Sequence, residues 1–136
     1  MMMYHSWDSQ NAWLRQIVAQ NYLYVNTATA ASLGLADLDW VWVESPHGRI
    51  RCQMKTTEGV EANTVWTWNA IGKRRGAWAL DNHAPESRKG FLLNHLISEL
   101  LPPQPDGHRY ANSDPITGQA AWYDLRVRIE KARDEE

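Results

Sequence analysis

Hydrophobic and polar positions alternate with a period of two from Trp40 to Ser45, setting Val41 and Val43 against Trp40, Trp42 and Glu44. The period returns over "RIRCQMKT", with Ile50, Cys52 and Met54 on one face, and "PHG" at 46–48 predicts a hairpin turn between the two runs. Further strands are predicted over Tyr22 to Val25 and over Thr64 to Asn69, the latter with Trp66 and Trp68 on one face and Val65, Thr67 and Asn69 on the other. A last strand alternates Tyr123, Leu125, Val127 and Ile129 with Asp124, Arg126 and Arg128. Met1 to Ile17 reads as a strand end entering a polar loop, as if cut from a longer protein. Two segments depart from the strand period. A short Ala-rich helix follows the first legible strand, with Asn26 or Thr27 as its cap and Gly34 at the left-handed C-terminal position. Leu92, Leu93, Leu96, Ile97 and Leu100 recur at helical spacing, which predicts a longer helix near 87–101 ended by Pro102 and Pro103. Several short strands with few helices predict one mainly β domain over 1–136, a small barrel, with a helical insertion at 76–110 and a charged tail at 131–136.

Composition narrows the function classes. A net charge of -2 and a pI near 6.2 argue against a general polyanion binder, so any phosphate recognition must be local. No apolar run approaches the roughly 18 residues of a membrane span, and the chain reads as soluble, with a cytoplasmic setting preferred. Cys52 is the only cysteine, which excludes an internal disulfide and a cysteine-rich metal site and predicts a small buried side chain. None of the five histidines has the close spacing of a metal pair: His95 reads as a partly buried helix residue, and His47, His83 and His108 as surface. There is no nucleophile elbow of the G-x-S-x-G type, no P-loop and no G-x-G-x-x-G, so "GKRRG" at 72–76 is not a standard phosphate cradle. Eight tryptophans are more than a core of this size needs, and several are expected to line an interface or a ligand wall.

Three polar, turn-rich loops lie beside Trp-bearing segments: Tyr4 to Trp13, Trp68 to Trp78, and Asn112 to Trp122. Their amides (Asn11, Asn69, Asn112, Gln119) can read donors and acceptors on the edge of a flat ligand. Ordinary capped turns would account for the same residues.

The order of motifs decides between these. "YVNTATAASLGLADLDWVWVESPHGRIRCQMKTTEGVEANTVWTWNAIGKR" resembles the C-terminal dinucleotide-binding domain of the molybdopterin-dependent oxidoreductases of the dimethyl sulfoxide reductase superfamily. The matching positions are Asn26, Ala30, Leu33, Gly34, Asp37, Asp39, Val41, Val43, Ser45, Gly48, Thr57, Glu58 and Gly59. "MYHSWDSQNAWLRQI" and "ANSDPITGQAAWYDLRVRIE" are similar to the family's opening and closing segments. The resemblance implies a six-stranded double-psi β-barrel that grips the guanine dinucleotide and pterin part of a molybdenum or tungsten bis(molybdopterin guanine dinucleotide). Carried over, the cofactor contacts are His5, Ser6, Asn11, Trp68, Asn69, Asn112 and Gln119, with Lys73 and Arg74 facing phosphate or a neighbouring domain.

Departures from the pattern matter as well. Leu38 stands in "DLD" where the family commonly has a glycine, which predicts a turn of different shape. The Thr-Gly-Arg strand, the iron–sulfur cysteines and a metal ligand are missing, so the implied partners are other domains or subunits of a parent oxidoreductase, an iron–sulfur domain among them. The segment from Gly76 to Tyr110 resembles that of sulfur-compound (sulfite, thiosulfate, polysulfide) oxidoreductases. A second class stays open: a non-enzymatic double-psi barrel used for protein recognition, which shares the "LG…D-x-D-x-V-x-V" core.

Overall fold

The computed structural model describes residues 11–18, 20–68, 83–85, 90–120 and 125–133. Helix α1 (Ala12–Ile17) is followed by strand β1 (Leu23–Asn26), helix α2 (Thr27–Ser32) and the strands β2 (Trp40–Ser45), β3 (Gly48–Thr57) and β4 (Val65–Trp66). A 3-10 turn, η1 (Leu93–Leu96), and strand β5 (Arg128–Lys131) complete the order. The strands form an open, mixed five-stranded sheet in the order β4-β1-β3-β2-β5. Among these described strands only β1 and β3 run parallel, with Leu23 opposite Met54 and Asn26 opposite Thr57. The remaining neighbours are antiparallel.

The alternation read from the sequence sets this sheet. Val41, Val43, Ile50, Cys52, Met54, Leu23 and Val25 point to one face and are buried. Phe91, Leu96, Leu35 and Ala30 close the cluster, and Leu125, Val127 and Ile129 pack against it. The opposite face carries the large aromatics. Arg49 stacks over Trp42 at 3.8 Å and Arg51 over Trp40 at 4.8 Å, so each guanidinium covers an indole that the core does not take. None of the five described tryptophans is in the buried core.

Local chemistry explains the turns. Asn26 ends β1 and caps α2: its Oδ1 accepts from the N–H of Ala28 (2.9 Å) and Thr29 (3.4 Å), while its Nδ2 donates to the Val60 carbonyl at 2.8 Å. Pro46 and His47 make a two-residue turn between Ser45 and Gly48, as expected. A Cβ at Gly48 would strike the His95 backbone carbonyl, and Ser45 Oγ donates to the Leu96 carbonyl at 2.7 Å. The hairpin therefore seats directly on η1. The Asp37–Asp39 turn is left-handed although it lacks glycine: Leu38 itself adopts φ 65°. Backbone bonds hold it there, from Leu38 N–H to the Met54 carbonyl and from Met54 N–H to the Asp39 carbonyl, both 3.0 Å. The strain of a leucine in that region falls on the chain.

Three expectations are corrected. The longer helix near 87–101 is absent from its described residues. Gly90 has φ 65°, Leu92 and Ile97 are extended, and the sequence between them makes only η1, after which Leu100 pairs with Ala111 as a β-bridge. The leucine spacing is used differently: Leu96 is buried, whereas Leu92 and Leu100 are largely exposed. His95 accordingly lies exposed on η1, while His47, His83 and His108 are on the surface as read. Residues Asn11 to Ile17 form no strand end or loop; Asn11 caps α1, its Oδ1 accepting from the N–H of Trp13 at 3.0 Å. Cys52 is buried as expected, and burial pushes its thiol up to about 12.

Two outcomes test this packing. Gly48→Ala forces β3 away from η1 and is expected to cost about 1–3 kcal/mol in chemical denaturation. Asp39 accepts from Lys131 Nζ at 2.9 Å and from the Ala36 N–H at 2.9 Å, in that order of effect, which holds its carboxyl below the ordinary 3.8. A depressed folded pKa contributes stability that is present above the unfolded value and lost as pH falls through the folded one. Melting temperature between pH 5 and about pH 3 should therefore fall less steeply in Asp39→Asn than in the unaltered chain.

Candidate functional site

Of the nine sequence-predicted contacts, Asn11, Trp68, Asn112 and Gln119 lie within the described residues. His5, Ser6, Asn69, Lys73 and Arg74 lie outside them. The four described residues do not share one hydrogen-bonded cluster. Asn11 is exposed and spends its side chain on the α1 cap. Asn112 and Gln119 flank one turn, and Trp68 lies two residues beyond β4.

The 112–120 loop is built by Asp114. Its Oδ1 accepts from the N–H groups of Thr117 at 2.7 Å and Ile116 at 2.9 Å and from the Thr117 hydroxyl, which together hold the carboxyl below its usual range. The Ser113–Ala120 bridge closes the loop, with Asp114 N–H on the Gln119 carbonyl at 2.7 Å. Asn112 is tied on the other side: its N–H donates to the Glu99 carbonyl at 2.7 Å and its Nδ2 to the Ser98 carbonyl at 3.3 Å. Among the described residues this leaves the Asn112 Oδ1 and the exposed Gln119 side-chain amide without a hydrogen-bond partner.

Trp68 ends a chain of rings on the outward face. Its centroid lies 4.1 Å from Trp66, which lies 5.2 Å from Tyr24, which in turn lies 6.4 Å from Tyr22. Lys55 Nζ sits 5.6 Å from the Tyr22 ring, so the chain of rings ends on a cation. Burial raises the Tyr24 hydroxyl pKa, a nearby Tyr22 adds to it, and a side-chain hydrogen bond with Trp68 opposes both. Tyr24 therefore stays neutral at physiological pH.

One residue beside Trp68 lies outside the predicted set. Asn21 is buried to 3% exposure, its Nδ2 donates to the Trp68 carbonyl at 2.7 Å, and its Oδ1 has no partner among the described residues. A signal existed: continuing the period of two back from Val25 and Leu23 puts residue 21 on the buried face, where a polar side chain calls for a reason. A separate cavity of about 230 Å³ is lined by Arg49, Ile50, Gly90, Phe91, Leu92 and His95, and none of the four described contacts borders it. Among the described residues no group of three potential metal ligands occurs, and no helix is long and apolar enough to cross a membrane.

Residues 2–113 match the model of the family described as molydopterin (molybdopterin) dinucleotide binding domain. A sulfite dehydrogenase subunit of Allochromatium vinosum is 62% identical over 132 residues, which cover 97% of this chain and 14% of that protein. The menaquinone reductase, molybdopterin-binding-like subunit of Nitratidesulfovibrio vulgaris is 31% identical over 113 residues, covering 83% of this chain and 14% of that one. Acetylene hydratase from Pelobacter acetylenicus shares the fold, with a TM-score of 0.66 and 20% identity over 95% of this chain and 16% of the solved one. The chain thus spans about one-seventh of the length of these curated relatives.

The hydrogen bonding separates two amides that the sequence treats alike. Asn112→Ala should lower stability by about 0.5–1 kcal/mol through loss of its bond to Ser98. Gln119→Ala, exposed and with no side-chain bond among those described, should leave the denaturation midpoint unchanged.

Proposed function

The chain belongs to the molybdopterin dinucleotide binding domain family, and from that premise we propose that it holds the guanine dinucleotide and pterin part of a bis(molybdopterin guanine dinucleotide) carrying molybdenum or tungsten. The observation that carries the reading is the pairing of an aromatic wall, Trp66 and Trp68 packed edge-to-face at 4.1 Å, with a loop whose amides Asn112 and Gln119 keep hydrogen-bonding atoms without a partner among the described residues. A guanine or pterin is flat and edged with donors and acceptors, which this donor set fits. His5, Ser6, Asn11 and Asn69 belong to the same binding surface in this reading, and Lys73 and Arg74 supply charge to the diphosphate. A six-stranded double-psi barrel is part of the same reading.

The redox step would be the chemistry of the bound cofactor and its metal, while this domain binds and orients. Within the parent enzyme other domains or subunits, an iron–sulfur domain included, would complete the site. The identity of 62% with a sulfite dehydrogenase subunit supports a sulfur-compound oxidoreductase as that parent. The family match favours cofactor binding over the protein-recognition alternative.

Calorimetric titration of the chain with GDP, against ADP as control, tests the reading. Saturable heat with GDP and a roughly tenfold weaker response in Trp68→Ala, about 1.4 kcal/mol, are expected. Equal responses to both nucleotides, or unchanged cofactor loading of the full-length enzyme carrying Asn69→Ala with Asn112→Ala, would sink it.

A further inference from the structure

Strand β4 is only two residues long. Its ladder with β1 consists of Val25 opposite Val65 and Tyr24 opposite Trp66, and then the paired backbone stops. Beyond it the chain is held by side chains instead. Thr67 Oγ1 donates to the Tyr22 carbonyl at 2.9 Å, and Asn21 Nδ2 donates to the Trp68 carbonyl at 2.7 Å, across 47 positions of sequence. These two bonds carry on the β1–β4 approach where no backbone pair does.

Asn21 is an unusual residue to find there. It is as buried as the core leucine two positions on, both at 3% exposure, yet its Oδ1 has no hydrogen-bond partner among the described residues. A buried acceptor left without a donor destabilises a fold, and a leucine, with the same branched heavy-atom skeleton, would avoid that cost. The only side-chain bond that Asn21 makes among the described residues is the one to Trp68. Its stabilising effect is therefore spent on where Trp68 sits, not on the core.

We propose that Asn21 is a positioning residue for the dinucleotide site: a clasp that fixes the backbone of Trp68, and with it the stacking ring, at the point where β4 ends. This rests on the cofactor reading above, since Trp68 is the contact that it positions. Loss of the clasp should weaken ligand binding while sparing the fold, because Asn21→Leu removes the orphaned acceptor as well as the donor.

The test uses the chain labelled with 5-fluorotryptophan, with the Trp68 resonance assigned by its absence in Trp68→Phe. In Asn21→Leu the Trp68 fluorine resonance should shift or broaden while those of Trp40 and Trp42 stay in place, the melting temperature should hold within a few degrees, and the GDP dissociation constant should rise about tenfold. A Trp68 resonance that keeps its position and width overturns the clasp. If Asn21→Leu does not fold cooperatively, the same comparison is made in Asn21→Ser, where an unmoved Trp68 signal again overturns it. Failure of the unaltered chain to bind GDP would count against the cofactor reading, whereas the fluorine comparison judges the clasp by itself.

Discussion

The structure depends on a change of partner along β3. Its first six residues, Gly48 to Gln53, pair antiparallel with β2, and its last four, Met54 to Thr57, pair parallel with β1 on the other edge. Where β2 ends, the edge of β3 would lose its bonds. The Asp37–Asp39 turn fills that gap: Leu38 and Asp39 bond both backbone groups of Met54, and Asp37 Oδ1 accepts from the N–H and the hydroxyl of Thr56, at 2.7 and 3.1 Å. A carboxylate and a left-handed leucine thus take the place of a strand. Buried backbone groups must find partners, and here a single turn supplies them.

That constraint accounts for both faces of the sheet. With β3 anchored on both edges, its alternation puts Ile50, Cys52 and Met54 into the core and turns Arg49, Arg51 and Lys55 outward over Trp42, Trp40 and Tyr22. β1 is held parallel to β3, so Tyr22 and Tyr24 join the same outward face and line up with Trp66 and Trp68. The ring chain is a consequence of register, not of a dedicated aromatic motif.

The two central strands were legible because period-two patterns are local and one face is fully buried: Trp40–Ser45 and the run through Ile50, Cys52 and Met54 follow the predicted faces, whereas of the runs read over 123–129 and 64–69 the described residues form strand only from Arg128 and over Val65–Trp66. The helix cap at Asn26 and the left-handed Gly34 were legible for the same reason, being set by residues within one turn. The leucines of 92–100 misled, since helical spacing alone does not reveal that Leu96 is drawn to Ser45 by its carbonyl while Gly90 and Ile97 take non-helical backbone. Helix α1 was missed because a six-residue helix with no buried residue has no apolar stripe to read. Of the candidate contacts the sequence offered Asn11, Trp68, Asn112 and Gln119 among the described residues, but Asn21 is defined by a contact 47 positions away, which pattern reading does not reach.

In the proposed function Trp68 and the 112–120 loop meet one flat, guanine-bearing ligand, although no hydrogen bond among the described residues joins them. Side-chain amide and indole N–H resonances, followed by two-dimensional NMR as GDP is added, test this most directly. The Trp68 indole and the Asn112 and Gln119 amides are expected to shift together along one saturation curve while the Trp13 indole stays put. Shifts confined to the residues around the Arg49 and His95 cavity, with the Trp68, Asn112 and Gln119 signals unmoved, would contradict it.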